Sequence, residues 1–236
     1  MITKATTSSG TPRKISAQRR RLVTPASSRS IAAGVVHAGA QADAVVHSGF
    51  VGDGAGRATR EPTLFLMVGL PGTGKTTAAR AIEVEHHALR LTKDEWVKAL
   101  YGDANPPSVS DVIEGRLITI AMRALQLGVN VVVDFGLWSR DERSALRQAA
   151  ADIGAAVEIR YFELTPDEQR RRLDQRWAEA PHETWPISEP ERAAWESTFE
   201  APTPAEIDGS EPIEDPPTGF ATWRAWTMYR WPPSVA

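Results

Sequence analysis

The apolar positions of the 236-residue chain change rhythm several times, and each change marks an element. "TLFLMVG" (Thr63 to Gly69) is an unbroken apolar run closed by glycine, the pattern of a strand buried on both faces of a parallel sheet. The loop "LPGTG" follows, then a helix from Lys75 to about His86. His87 to Thr92 ("HALRLT") predicts a short second strand, and "DEWVKALYG" a short helix ended by Gly102. From Val109 to Leu127 the residues Val112, Ile113, Leu117, Ile120, Ala121, Ala124 and Leu125 make one buried helical stripe, which Gly128 ends. "VNVVVDFG" (Val129 to Gly136) is the clearest buried strand. "SRDE" (Ser139 to Glu142) is a capping box opening a helix that Gly154 closes. Ala155 to Leu164 alternates as a strand. "TPDE" (Thr165 to Glu168), a second capping box with proline at the first helical position, opens the basic helix "PDEQRRRLDQRWAEA". Leu173 and Trp177, four apart, are expected to pack that helix down.

Strands alternating with helices predict a doubly wound, mostly parallel α/β sheet that binds its ligand at the carboxyl ends of the strands. Beyond Ala180 the rhythm stops. The rest is acidic and rich in proline and tryptophan until "FATWRAWTMYRW", which reads as a closing helix. The chain therefore divides into residues 1–60, a core with its basic helix at 61–180, and an irregular extension at 181–236 that packs on the core. Trp177, Trp185, Trp195, Trp223, Trp226 and Trp231 give its last third a high tryptophan density. They read either as an aromatic pocket for an acceptor or as rings pinning the extension to the sheet.

Charge refines this division. No acidic residue precedes Asp43, while Lys4, Arg13, Lys14, Arg19, Arg20, Arg21 and Arg29 do, so residues 1–60 read as a disordered basic tail. The net charge of −3 then leaves the body acidic, which argues against a broad duplex-binding surface. There is no cysteine, which excludes disulfides and thiolate-bound metals and fits a cytoplasmic setting. No apolar run approaches the roughly 20 residues that cross a bilayer, so no membrane partner is expected.

The chemistry starts at Gly69-Leu70-Pro71-Gly72-Thr73-Gly74-Lys75-Thr76, followed by Thr77. This matches G-x-x-x-x-G-K-[ST] in full and lies between a buried strand and a helix start, where the motif works. The glycines let backbone amides turn inward as an anion nest, and the helix N-terminus adds its partial positive charge. Lys75 would reach the outer phosphates and Thr76 would hold Mg²⁺. ATP is preferred to GTP, since no N-K-x-D signal is present. Asp134, ending its strand beside the loop, is a second Mg²⁺ candidate. Phe135 stands where a hydrolytic motor usually carries a second carboxylate, which favours transfer to an acceptor over hydrolysis. Asp94, after the second strand, is placed to activate an acceptor hydroxyl. Asp94 and Glu95 also suit a plain helix start capped by Thr92. Arg172 and Arg176 share a helix face and could neutralise charge on a transferred phosphoryl group. The same arginines, with Arg170 and Arg171, could instead pair with Asp167, Glu168 and Asp174.

Taken in order, "GLPGTGKTT", "LTKDEW", "VVVDFG" and "YFELTPDEQRRRLDQR" resemble the P-loop kinases of the AAA_33 group, which includes polynucleotide 5′-hydroxyl kinases and lies near zeta-toxin and chloramphenicol phosphotransferase-like enzymes. The resemblance covers Thr63 to Trp177. It implies a P-loop NTPase three-layer fold with a helical, arginine-bearing lid and an ATP- and Mg²⁺-dependent kinase. Asp94 would take the hydroxyl-activating role, and Arg172 and Arg176 would serve as lid arginines. The family's asparagine after Asp134 is missing here. The expected acceptor is a hydroxyl on a small molecule, neutral or cationic given the acidic extension. A polynucleotide 5′-hydroxyl is disfavoured but open, as is a non-catalytic, ATP-switched binding protein.

Overall fold

β1 (Thr63–Val68) lies between β3 (Val131–Gly136) and β4 (Ala156–Tyr161), with β2 (Leu89–Thr92) outside β3. All the pairings are parallel, giving the order β2-β3-β1-β4. The computed structural model describes residues 61–102, 104 and 106–232. The reading of residues 1–60 as a basic tail lies outside them.

The two central strands, β1 and β3, are short and apolar because both of their faces are covered, whereas the edge strands β2 and β4 carry Arg90, Glu158 and Arg160. Phe65, Met67 and Val132 point to one face and pack with Ala79 and Ile82 of α1 (Lys75–Glu85). Leu64, Leu66, Val68, Val131 and Val133 point to the other, against α3 (Pro107–Gln126), α4 (Arg140–Ala151) and α8 (Trp223–Arg230). This is the three-layer α/β architecture of P-loop kinases. α2 (Lys93–Tyr101) begins the crossover from β2 to β3, and α5 (Pro166–Glu179) follows β4, the last strand.

Several local expectations change. On α3 the buried stripe contains Ile118, whereas Val112 and Ile120 are exposed, because the helix turns its Glu114 side inward as well. On α5 the two buried residues are Gln169 and Leu173, and Trp177 faces solvent. Ser139 forms its full capping box, but Thr165 caps only one way, because Glu168 turns its carboxylate to Arg171 and Arg172. The extension is more regular than its composition suggests. It holds α6 (Glu189–Thr198) with a capping box at Ser188, the single turn α7 (Pro204–Ile207), and α8.

The tryptophans divide by position. Trp223, Trp226 and Trp231 are buried and meet edge-to-face in sequence, with ring centroids 5.7 Å apart at each step. They act as core residues. Gly115 on α3 makes room for them: a Cβ there would stand 2.8 Å from the Trp231 carbonyl oxygen. Polar contacts then fix the extension. Arg143 of α4 is almost fully buried, donating from Nε to Glu206 Oε1 at 2.6 Å and from Nη2 to Glu206 Oε2 at 3.0 Å. Its Nη1 donates to the carbonyls of Glu200 at 2.8 Å and Leu137 at 3.2 Å.

Removing one partner of such a pair leaves a buried charge alone. Glu206→Ala is expected to lose about 3–5 kcal/mol in a urea unfolding titration, and the double variant Arg143→Met/Glu206→Leu to regain most of it. Equal stability of the single and double variants would contradict the pairing argument.

Candidate functional site

The chain leaves β1 at Val68 and cannot carry a side chain at the next position. Gly69 has φ +144°, its amide donates to the Gly136 carbonyl at 3.1 Å, and a Cβ there would run into the carbonyl oxygen of Phe162. The loop then turns back under α1, whose N-cap is Gly74 in the left-handed region with no side-chain cap. The first amides of α1 are therefore left for an incoming anion. Leu70 and Thr73 brace the loop from within. Thr73 Oγ1 donates to the Leu70 carbonyl at 2.9 Å, and Lys75 Nζ donates to the same carbonyl at 2.8 Å. Withdrawal from water lowers the Lys75 ammonium to about 8, against the pull of Asp134 and Asp94.

Asp134 is the fourth residue of β3, and the register opposite Thr92 of β2 brings both towards Thr76 at the start of α1. Thr76 Oγ1 donates to Asp134 Oδ2 at 2.7 Å and Thr92 Oγ1 to the same oxygen at 3.3 Å. Thr92 thus spends its hydroxyl on Asp134 instead of capping α2. Burial raises the Asp134 carboxyl, and the Thr76 hydroxyl and the Lys75 charge oppose that rise. A hydroxyl and a carboxylate, both hard oxygen donors, suit Mg²⁺. Among the described residues no group of three or more His, Cys, Asp or Glu could hold a metal by itself. The pair therefore fits an ion that completes its shell with phosphate oxygens and water.

Asp94 stands in the first turn of α2, largely exposed, and reaches the same cavity. Lys93 Nζ lies 3.4 Å from Asp94 Oδ1 and 3.5 Å from Glu114 Oε1. Burial alone would lower the Lys93 ammonium, but the two carboxylates raise it overall. Across the cavity, α5 is strapped to the phosphate loop: Gln169 Nε2 donates to the Pro71 carbonyl at 2.8 Å, and the Leu173 side chain fills the space above Gly72. From that base Arg172 and Arg176 face inward. Arg172 donates from Nε to Glu168 at 2.8 Å, and Arg176 from Nη2 to Thr184 Oγ1 at 2.8 Å. Lys98 of α2 donates to the Thr184 carbonyl at 2.9 Å and sits 4.9 Å above the Trp185 ring. The segment after α5 is thereby tied to helices on both sides of the opening.

The result is one cavity of about 730 Å³. It gathers Pro71, Gly72, Gly74, Lys75, Thr76 and Thr77 with Asp94, Asp134, Arg172 and Arg176, while Gly69, Leu70 and Thr73 build the loop behind it. Sequence reasoning passed over Lys93, Gln169, Trp138 and Thr184. Gln169 had a signal, since it lies four residues before Leu173 and so shares its helix face. Thr184 had none, because its place depends on how the extension folds back.

Measured against known proteins, the chain matches a family model described as an AAA domain, AAA_33, over residues 64–202, more than half of its length. No protein of curated function matches its sequence. Among solved structures, a protein assigned as a kinase from Chloroflexus aurantiacus superposes with a TM-score of 0.51 and 18% identity, covering 61% of this chain and 79% of that one. Chaetomium thermophilum Kti12, in complex with ADP-AlF3, gives 0.48 and 19% over 60% and 82%. A chain of the Pnkp1/Rnl/Hen1 complex gives 0.43 and 24% over 48% and 39%, so this chain spans well under half of that one. The likeness to the Chloroflexus protein is one of fold. Among the described residues no helix is long and apolar enough to cross a membrane.

Thr76→Val keeps the shape and removes the hydroxyl. Isothermal titration with ATP is expected to show affinity reduced about tenfold or more with Mg²⁺ present, the worth of a hydrogen bond to a charged group. Without Mg²⁺ little change is expected. An equal loss under both conditions would take Thr76 out of the ion's shell.

Proposed function

The chain belongs to the AAA_33 family, and on that premise we propose that it is an ATP- and Mg²⁺-dependent kinase that moves the γ-phosphoryl group to a hydroxyl of a small-molecule acceptor. The observation that carries this reading is convergence. One cavity is lined on one side by the phosphate loop and the Thr76–Asp134 pair, and on the other by a carboxylate, Asp94, aimed at the same space. Phe135, not a second acid, follows Asp134, so the site has a group for an acceptor hydroxyl and none beside Asp134 dedicated to water.

ATP with Mg²⁺ supplies an electrophilic phosphoryl group and a leaving diphosphate. The rest falls to the chain. The amides of residues 72–76 and the Lys75 ammonium hold phosphate oxygens, and an anion there restores the charge that burial disfavours on Lys75. Thr76 and Asp134 hold the ion. Asp94 accepts the proton of the acceptor hydroxyl as its oxygen bonds to phosphorus, and Lys93 keeps that carboxylate turned inward. Arg172 and Arg176 exchange Glu168 and Thr184 for the transferred group, where charge spreads over its oxygens.

Asp94→Asn is expected to lower turnover about 10²–10⁴-fold while leaving ATP affinity within about twofold. The assay is transfer of labelled γ-phosphate into a metabolite pool, read by mass spectrometry, with a 5′-hydroxyl oligonucleotide run in parallel. Label appearing only in inorganic phosphate at the wild-type rate would replace the kinase reading with hydrolysis. Label in the oligonucleotide alone would replace the small acceptor with a polynucleotide end.

A further inference from the structure

A second cavity, of about 320 Å³, adjoins the first. The two share Lys93, Phe135 and Trp138. The phosphate site makes no use of it, and its volume lies at the small end of ligand sites. Its far side comes from elements distant in sequence: Asp111 and Glu114 of α3, Glu142 of α4, Trp195 of α6, and Arg230 with Trp231 at the end of α8.

The charges in this chamber are already paired off. Arg230 donates from Nη1 to Asp111 at 2.6 Å and from Nη2 and Nε to Glu142 at 2.6 and 2.9 Å, and Nη2 lies 3.7 Å from Glu114. Lys93 is divided between Asp94 and Glu114. Trp231 Nε1 donates to Glu114 Oε2 at 2.7 Å and fixes that carboxylate. Three carboxylates therefore face two cations, both committed before anything enters. An anionic guest would find carboxylates and no spare cation. A guest with hydroxyl or ammonium donors would find oriented acceptors. Beside them stand the rings of Trp138 and Trp195, with centroids 5.5 Å apart and a tilt of 53°. These give an apolar wall suited to the C–H face of a saturated ring.

We propose that this chamber is the acceptor subsite of the kinase reading above, on which it rests. Its guest is a hydroxylated ring of hexose size, uncharged or carrying one amine. The ring lies against Trp138 and Trp195 with its hydroxyls on Glu114 and Asp111, and one hydroxyl passes Lys93 to reach Asp94. There its oxygen bonds to the γ-phosphorus, the bond from that phosphorus to the β–γ bridging oxygen breaks, ADP leaves with the electron pair, and Asp94 takes the proton.

The test reads binding without turnover. Quenching of tryptophan fluorescence in the full chain is followed with glucose, myo-inositol, glucosamine and glucose 6-phosphate, each with and without the β,γ-methylene analogue of ATP and Mg²⁺. Saturable quenching is expected for at least one of the first three, with glucose 6-phosphate at least tenfold weaker than that probe. Asp111→Asn and Trp195→Leu, which line only the second chamber, should each weaken the bound probe about tenfold and leave affinity for the ATP analogue unchanged. Unchanged analogue binding also shows that both variants fold. Asp111→Asn keeps an acceptor for Arg230 but removes one negative charge from the chamber, so it should narrow the discrimination against glucose 6-phosphate. Stronger binding of glucosamine than of glucose, equalised by Asp111→Asn, assigns the amine to that carboxylate; equal binding in the wild type assigns the site to neutral polyols. Indifference to all three unphosphorylated probes, or preference for glucose 6-phosphate, overturns the chamber's assignment while ATP binding stands. Failure to bind the ATP analogue overturns the kinase reading and the acceptor role with it.

Discussion

Arg143 and Glu206 face each other with almost no water on either side, and a charge in that position is tolerated only when each of its nitrogens finds an acceptor. Arg143 meets that demand by reaching three parts of the chain: Glu206 in α7, the carbonyl of Glu200 before it, and the carbonyl of Leu137 behind β3. The last contact holds a strained place. Leu137 has φ +45°, a conformation that costs a bulky residue of order 1–3 kcal/mol and persists only where its surroundings impose it. The next residue, Trp138, lines both cavities, and its carbonyl accepts from the Glu200 amide at 2.9 Å. One guanidinium thus anchors the extension and sets the loop on which the two cavities meet.

The nucleotide side depends on a simpler constraint. Parallel strands all end on the same edge, so three loops and a helix start converge there without any residue being placed individually. Register refines this: because Thr92 pairs with Asp134, a hydroxyl and a carboxylate from different strands come together beside Thr76. α5 then rests on the loop through Gln169 and Leu173, which keeps the arginines within reach while their guanidinium groups are held by Glu168 and Thr184.

These two halves differ in how far the chain announces them. The phosphate loop, Asp94, Asp134 and the arginine helix are legible because each depends on neighbours a few residues away. A glycine pattern, a strand end or a helix spacing is enough to place them. The sheet is legible for the same reason, since runs such as "VNVVVDFG" have no other stable home. The second chamber is not legible. Glu114 and Arg230 look like ordinary surface charges on amphipathic helices, and only a long return of the chain brings them together. Ile118 and Val112 exchange roles on α3 for a related reason. The helix has to bury Glu114 for Trp231 and Lys93, and that rotates the stripe away from the one hydrophobicity alone selects. Trp177 fails as a core residue because the phosphate loop, not the sheet, lies under α5.

The late position of Trp231 has a consequence for how the molecule is made. The phosphate loop, all four strands and α5 are translated before α8. A growing chain therefore holds every residue of the phosphate loop while the face of α3 and α4 that will receive Trp223, Trp226 and Trp231 has no cover from α8. The last helix thus does two things at once: it covers this flank and finishes the wall beside Glu114.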